Sequence, residues 1–317
     1  MVRVECTALL MRLKNLVLAL CFGLTALVGA SSSQAQTRTT IASGFDGPSA
    51  IAFDAAGNAY FSSWHDGKVT KVSPDGTISS FLTGITHPYG VAFDSAGNFY
   101  VTTDIGPMVL KVSPDGVSSS AFATDFSAPR GIAFDTAGNL YVANFGDNSI
   151  SKVSADGATV TPFATGFNGP FGLAFDRAGN LYVANRSGDS VSKVSPDGST
   201  VTPFVTGFDG PIGLAFDSAG NLYVANHDSD IVSKVSPDGL TVIPFATGFN
   251  SPEGLAFDSA GNLYVANFDG DNLIKLSLAP APVPSLSEWA MMILAALLVG
   301  TAVLVIHRQG QTAVGRG

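Results

Sequence analysis

The sequence predicts an all-β fold, a six-bladed β-propeller of four-stranded blades, and three observations predict it. The aspartate that ends the first apolar run of each unit recurs at Asp54, Asp94, Asp135, Asp176, Asp217 and Asp258, at steps of 40, 41, 41, 41 and 41 residues. A period of that length marks a repeat architecture. Each unit holds four short β-forming runs joined by Asp, Gly and Asn turns, without the 3.6-residue period of helices. Finally, the sixth unit stops after its third strand at Ser277, while a spare strand-like segment, residues 38–45, precedes the first unit.

Unit four shows how each element is justified. FGLAFD ends at Asp176, and AGN supplies a turn. LYVAN is a second run rich in β-formers, RSGDS a polar loop, VSKVS a third strand, PDG a second turn and TVTPF the fourth strand. Asp and Asn bond nearby backbone amides and Gly accepts positive φ, so the aspartates of D-x-x-G-N and S-P-D-G read as structural. Blades that pack face to face bury both sides of each sheet, which accounts for runs such as GLAF and LYV in place of strict alternation. The spare N-terminal strand would complete the last blade, closing the ring and removing an exposed sheet edge.

The propeller occupies residues 36–279. Residues 1–35 read as a signal peptide: Arg12 and Lys14, an apolar run over 16–28, then small residues. Both cysteines, Cys6 and Cys21, lie there, so the propeller needs no disulfide. Residues 280–289 combine a Pro/Ala linker with a short motif. The largely apolar run 290–306 is at the short end for a transmembrane helix. Residues 307–317 form a short tail whose Arg308 and Arg316 suit the cytoplasmic side. The expected body is exported and faces the periplasm while anchored. Between residues 38 and 279, 23 acidic residues (22 Asp and Glu253) face 11 basic ones, which argues against a nucleic-acid partner.

Within the repeat, Pro170, Gly172, Asp176, Gly179, Asn180, Tyr182, Val183 and Ala184 follow the P-x-G-I-A-x-D-x-x-G-N-x-Y-V-A-D pattern, and the chain resembles NHL-repeat propellers over residues 38–277. That group sits with the gluconolactonase-like and TolB-like six-bladed propellers. Asn144, Asn185, Asn226 and Asn267 stand where the pattern often has Asp, with Ser63 and Thr103 in the first two units. Val283, Pro284, Ser285, Leu286, Ser287, Glu288 and Trp289, followed by an apolar run and basic tail, resemble the IPTL-CTERM sorting signal of Gram-negative bacteria. That resemblance implies recognition by an exosortase-type membrane protease, then release to the cell surface or exterior.

Candidate site residues come from the face on which the strand-two-to-three loops and the entries to strand one open. The variable residue of P-x-G places Tyr89, Arg130, Phe171, Ile212 and Glu253 near the channel mouth, with Ser49 in unit one. Arg130 and Glu253, three units apart, should face each other across the axis. Eight aspartates, Asp66, Asp104, Asp147, Asp189, Asp228, Asp230, Asp269 and Asp271, lie in the strand-two-to-three loops and make this face oxygen-rich. Hard divalent cations, Ca²⁺ first among them, take such ligands. The candidate metal set is Glu253 with Asn185, Asn226 and Asn267. The alternative is that each Asn caps its strand and bonds its own blade. His65, His87 and His227 read as surface residues, because unit five is not next to units one and two.

Near-perfect repetition favours a non-catalytic binding or scaffold module of the envelope, with a protein, peptide or glycan ligand at the loop face. No P-loop, G-x-S-x-G, H-E-x-x-H or C-x-x-C occurs in the propeller. The alternative, implied by the gluconolactonase-like resemblance, is a hydrolase or lyase whose channel cation polarises a lactone carbonyl.

Overall fold

The computed structural model describes residues 36–278. The expected signal peptide, linker, sorting motif, membrane span and tail lie outside the described residues. Among the described residues, no helix is long and apolar enough to cross a membrane.

Six four-stranded antiparallel sheets form the propeller. Blade 4 is representative, with strands Pro170–Phe175, Leu181–Asn185, Ser190–Val194 and Val201–Thr206 from inside to outside. Its first turn is held by one carboxylate. Asp176 Oδ1 accepts from the backbone N–H groups of Ala178 and Asn180 at 2.9 Å each, and Oδ2 accepts from Asn180 Nδ2 at 2.7 Å. Gly179, at φ +83°, supplies the left-handed step that this turn requires. At the second turn Ser195 donates its hydroxyl to Asp197, whose Oδ1 also accepts from Ser199 N at 3.1 Å. The D-x-x-G-N and S-P-D-G aspartates are therefore structural, as the turn chemistry predicts.

Adjacent blades share six apolar cores. Between blades 4 and 5, Tyr182, Ala184 and Val191 meet Leu214, Leu222, Val224 and Val235. Tyr182 meets Phe204 and Phe216 edge-on, at 4.9 and 5.0 Å between centroids. The recurring strand-three lysine completes this unit: Lys193 Nζ lies 5.3 Å from the Tyr182 ring centroid and 3.7 Å from Asp176 Oδ2. It packs as part of the blade rather than forming a basic patch.

The glycine of P-x-G answers to the inner wall. A Cβ on Gly172 would overlap the carbonyl oxygen of Ile212 in the next blade, and one on Gly213 that of Glu253. In blades 2 to 6 the innermost strands approach too closely for a side chain at this position, whereas blade 1 carries Ala50 there. Ring closure follows the sequence expectation. Gln36–Ser43 is the outermost strand of the last blade, paired antiparallel with Asn272–Leu278 from Gln36↔Leu278 to Ser43↔Asn272.

Candidate functional site

The strand-two-to-three loops bond to the entry of strand one within each blade, so both open on one face. Examples are Trp64 N to Gly47 O at 2.8 Å, Arg186 N to Gly169 O at 2.9 Å and His227 N to Gly210 O at 3.0 Å. These contacts converge on a cavity of about 380 Å³ at the centre of that face. From P-x-G it takes Tyr89, Arg130, Phe171 and Glu253; from the residue after strand two it takes Trp64, Phe145, Arg186, His227 and Phe268; Asp269 completes it. Ile212, also expected at the channel mouth, packs below with Tyr89 and Phe171 in a buried apolar cluster. These three side chains form a floor at the channel mouth.

Arg130 and Glu253 line the same cavity without pairing. Arg130 Nη1 is 3.0 Å from Asp104 Oδ1, and the guanidinium lies 5.0, 5.3, 5.5 and 5.7 Å from the ring centroids of Trp64, Tyr89, Phe145 and Phe171. Tyr89 joins the two halves: its ring packs against Arg130, and its hydroxyl donates to Glu253 Oε2 at 2.6 Å. Glu253 is 4 % exposed. Burial pushes its carboxyl up to about 7, Asp269 adding to the rise, while the Tyr89 hydrogen bond, Arg186 and Ser49 work against it. Burial, then the Glu253 charge, holds the Tyr89 phenol well above its ordinary value, so Tyr89 stays a donor. His227 Nε2 lies 3.6 Å from Glu253 Oε1. A carboxyl titrating near neutrality beside an imidazole and an open cavity can accept or release a proton under ordinary conditions.

His227 is the main departure from the sequence reading. Its side chain is 16 % exposed and faces the cavity. His87 stacks on Trp64, 4.6 Å between centroids with 3° between planes, and His65 packs against Phe268 at 5.5 Å. Phe268 of blade 6 lies between His65 and His227, 6.2 Å from the latter, so units one and five approach the same residue although they are not adjacent.

The asparagines behave as strand-end braces. Asn185 Nδ2 donates to Ser190 Oγ at 3.2 Å and Ser192 Oγ at 2.9 Å, and Asn226 Nδ2 donates to Ile231 O at 3.1 Å and Ser233 Oγ at 2.9 Å. Their Oδ1 atoms, like that of Asn144, are buried without a partner. Asn267 Oδ1 accepts from Asn250 N at 2.7 Å. Asn185, Asn226 and Asn267 are not among the residues that line the cavity with Glu253. Nor, among the described residues, does any group of three or more His, Cys, Asp or Glu stand where it could hold a metal ion. Glu253 and the three asparagines therefore do not line one cavity, and no step is routed through a metal.

Of the eight loop aspartates, only Asp269 lines the cavity. Several of the others latch one blade to the next. Asp189, at φ +48°, accepts from Gly210 N at 3.1 Å, and Asp230, at φ +61°, accepts from Ser251 N at 2.7 Å. A groove of about 530 Å³ on the opposite face, between the first turns of blades 4 and 5, is lined by Asp176, Arg177, Lys193 and Asp217. Its Lys193 and Asp176 already pair as part of the blade architecture.

The residues that the sequence reading missed, Trp64, Phe145, Arg186, His227 and Phe268, share one position, immediately after the strand-two ring. Their signal was available: at this position the six units read Trp, Asp, Phe, Arg, His and Phe, whereas the preceding ring is Asn in four of six.

Comparison with known proteins agrees with this architecture. A gluconolactonase from Xanthomonas campestris superposes with a TM-score of 0.71 at 18% identity, covering 79% of this chain and 93% of its own. A virginiamycin B lyase from Staphylococcus aureus gives 0.58 at 14% identity, over 77% and 99%. An auxiliary nutrient binding protein from Bacteroides thetaiotaomicron gives 0.68 at 12% identity, over 77% and 76%. At these identities the likeness shows the fold alone. No curated protein matches by sequence. Residues 281–308 match the IPTL-CTERM motif. This sorting signal implies an exported, cell-surface bacterial protein processed by an exosortase-type protease. Residues 85–279, more than half of the chain, match the virginiamycin B lyase family, and the chain belongs to that family.

Proposed function

We propose that this propeller is a non-catalytic binding module of the bacterial cell surface, with a protein, peptide or glycan ligand that places one group in the central cavity of the loop face. The observation that carries this reading is where the repeats differ. Turns and cores are near-copies in all six blades, yet two variable positions, the middle of P-x-G and the residue after strand two, supply nine of the ten residues lining one cavity. Such a lining, half aromatic and half charged or titratable, suits a ligand group better than a structural contact. The test is binding of the purified protein to arrays of bacterial surface glycans and peptides, alongside Phe268→Ala. Capture that the variant loses supports the reading; equal capture by both places the binding surface elsewhere.

A second reading, lyase chemistry, is favoured by Tyr89, Glu253 and His227 standing in sequence at 2.6 and 3.6 Å. An elimination needs a base to take a proton and an acid to return one, and this group could supply both. Incubation with virginiamycin B and with gluconolactone tests it. Turnover that disappears in Glu253→Gln would replace the binding reading with a catalytic one.

A further inference from the structure

The two halves of the cavity differ in what they still require. Towards blades 1 to 3 the aromatic wall already holds a cation. Arg130 sits within 5.7 Å of four ring centroids, and Asp104 matches its charge at 3.0 Å. Towards blade 6 stand two carboxylates, Glu253 and Asp269, with Phe268 beside them. Among the described residues, neither has a lysine or arginine in ion-pair contact; the one nitrogen near is His227 Nε2, 3.6 Å from Glu253 Oε1.

Among the described residues, Glu253 has no lysine or arginine as counterion. The Tyr89 hydroxyl serves Oε2, whereas the imidazole lies beyond hydrogen-bond range of Oε1. Ser49 stands close by, its hydroxyl shared between the Glu253 carboxyl and Gly47 O, the latter at 3.2 Å. A carboxylate this buried without a lysine or arginine beside it is costly to ionise, and an entering cation relieves the cost. Arg186 does not fill the role. It reaches towards Asp228, at 3.9 Å, and lies 5.8 Å from the centroid of Phe171.

We propose that the group bound here is an organic ammonium carried next to an apolar ring, its N–H groups answering Glu253 Oε1 and Asp269 while the ring packs on Phe268 and Phe171. The proposal rests on the reading of this cavity as a ligand site and names the chemistry of the group that enters it. Three physical terms act in the same direction. The ammonium supplies the missing countercharge, aromatic faces attract cations, and the acidic excess of the propeller draws cations towards it. An anionic group would meet both carboxylates at this end, while the cation best placed to receive it, Arg130, is already matched by Asp104. Tyr89, His227, Asp269 and Arg186 are the titratable or charged groups facing Glu253. Binding of a fixed cation should therefore tighten as pH rises through neutrality and Glu253 ionises.

The test uses calorimetry on the full chain with three probes that share one ring: 2-phenylethylamine, 2-phenylethanol and 3-phenylpropionate. Glucosamine and glucose form a parallel pair, which separates an amino-sugar source from an aralkylamine source. The expected result is at least tenfold tighter binding of the charged amine than of its neutral partner, with the carboxylate weakest. Glu253→Gln should remove that preference, and Asp75→Asn, in a distant turn, should keep it. The comparison among probes on the native protein stands even where a variant folds poorly. Equal or reversed preference in both pairs overturns the proposal. So does the absence of binding by every probe; in that case capture on the glycan and peptide arrays still decides whether the cavity is a ligand site of another chemistry.

Discussion

Glu253 makes a pH-dependent contribution to stability with a sign opposite to that of most carboxylates. Burial raises its folded value from the ordinary 4.5 to about 7. Between those values the folded protein holds a proton that the unfolded chain has released, so stability falls as pH rises through this window and levels off above it. A rise of that size corresponds to roughly 3 kcal/mol for a fully buried group, a large share of the 5–15 kcal/mol typical of a whole domain. Urea unfolding at pH 5, 6, 7 and 8, followed by fluorescence of Trp64 inside the cavity, reads the effect. The native protein should lose most of that amount between pH 5 and 8. Glu253→Gln, which has no charge to bury and can still accept from Tyr89, should give a nearly level profile and exceed the native stability at pH 8. A native profile that stays level or rises across this range, or an equal slope in the variant, would refute the account of Glu253 as an acid raised by burial.

The turn aspartates act in the opposite sense. Burial alone would raise Asp54, Asp94, Asp135, Asp176 and Asp258, but hydrogen bonds from the Asn four residues on and from backbone N–H groups outweigh it and hold them below 3.8. Their stabilisation is present above that value and is lost as pH falls through the lowered ones, so acid titration by circular dichroism should show one cooperative loss below pH 4. Gly213→Ala should cost about 1–3 kcal/mol or more in urea unfolding, because its Cβ would overlap the rigid carbonyl of Glu253. Arg38→Ala removes a hydrogen bond to Thr247 O at 3.0 Å and a guanidinium 4.4 Å from the Phe249 ring centroid. Loosening of the closing strand by about 1 kcal/mol is expected, measured as faster amide exchange along Asn272–Leu278.

The fold was legible because its causes are local and repeated. Asp176, Gly179 and Asn180 specify a turn by their own chemistry, and six copies of that turn leave little choice of architecture. The missing fourth strand of the last unit likewise pointed to ring closure, and Gln36–Ser43 fills that place. The site was legible in part. Tyr89, Arg130, Phe171 and Glu253 reach the cavity from the P-x-G position, as expected, but Ile212 goes into the floor. The asparagine ring drew attention through its regularity, and regularity is what a brace to strand three produces, as the Asn185 contacts with Ser190 and Ser192 illustrate. His227 was out of reach for a different reason. Whether a loop histidine turns inward depends on the space left by neighbouring blades, here beside Phe268 and Glu253, and a linear spacing does not record that.

Repetition and function are reconciled in this molecule by separating the positions that serve each. A closed ring of six like blades would present a symmetric mouth, and a symmetric mouth offers every ligand six equivalent and poor poses. Asymmetry enters through two residues per blade that neither the turns nor the cores constrain. Arg130 is the decisive one. By occupying the space between Trp64, Tyr89, Phe145 and Phe171 with its own guanidinium, paired to Asp104, it closes half of the mouth. It also fixes the ring of Tyr89, whose hydroxyl then stands 2.6 Å from Glu253. The carboxylates that line the cavity are thereby confined to the side of Glu253, His227, Phe268 and Asp269. Six near-identical units thus yield a single sided cavity, and the residue that makes it sided also orients the buried acid within it.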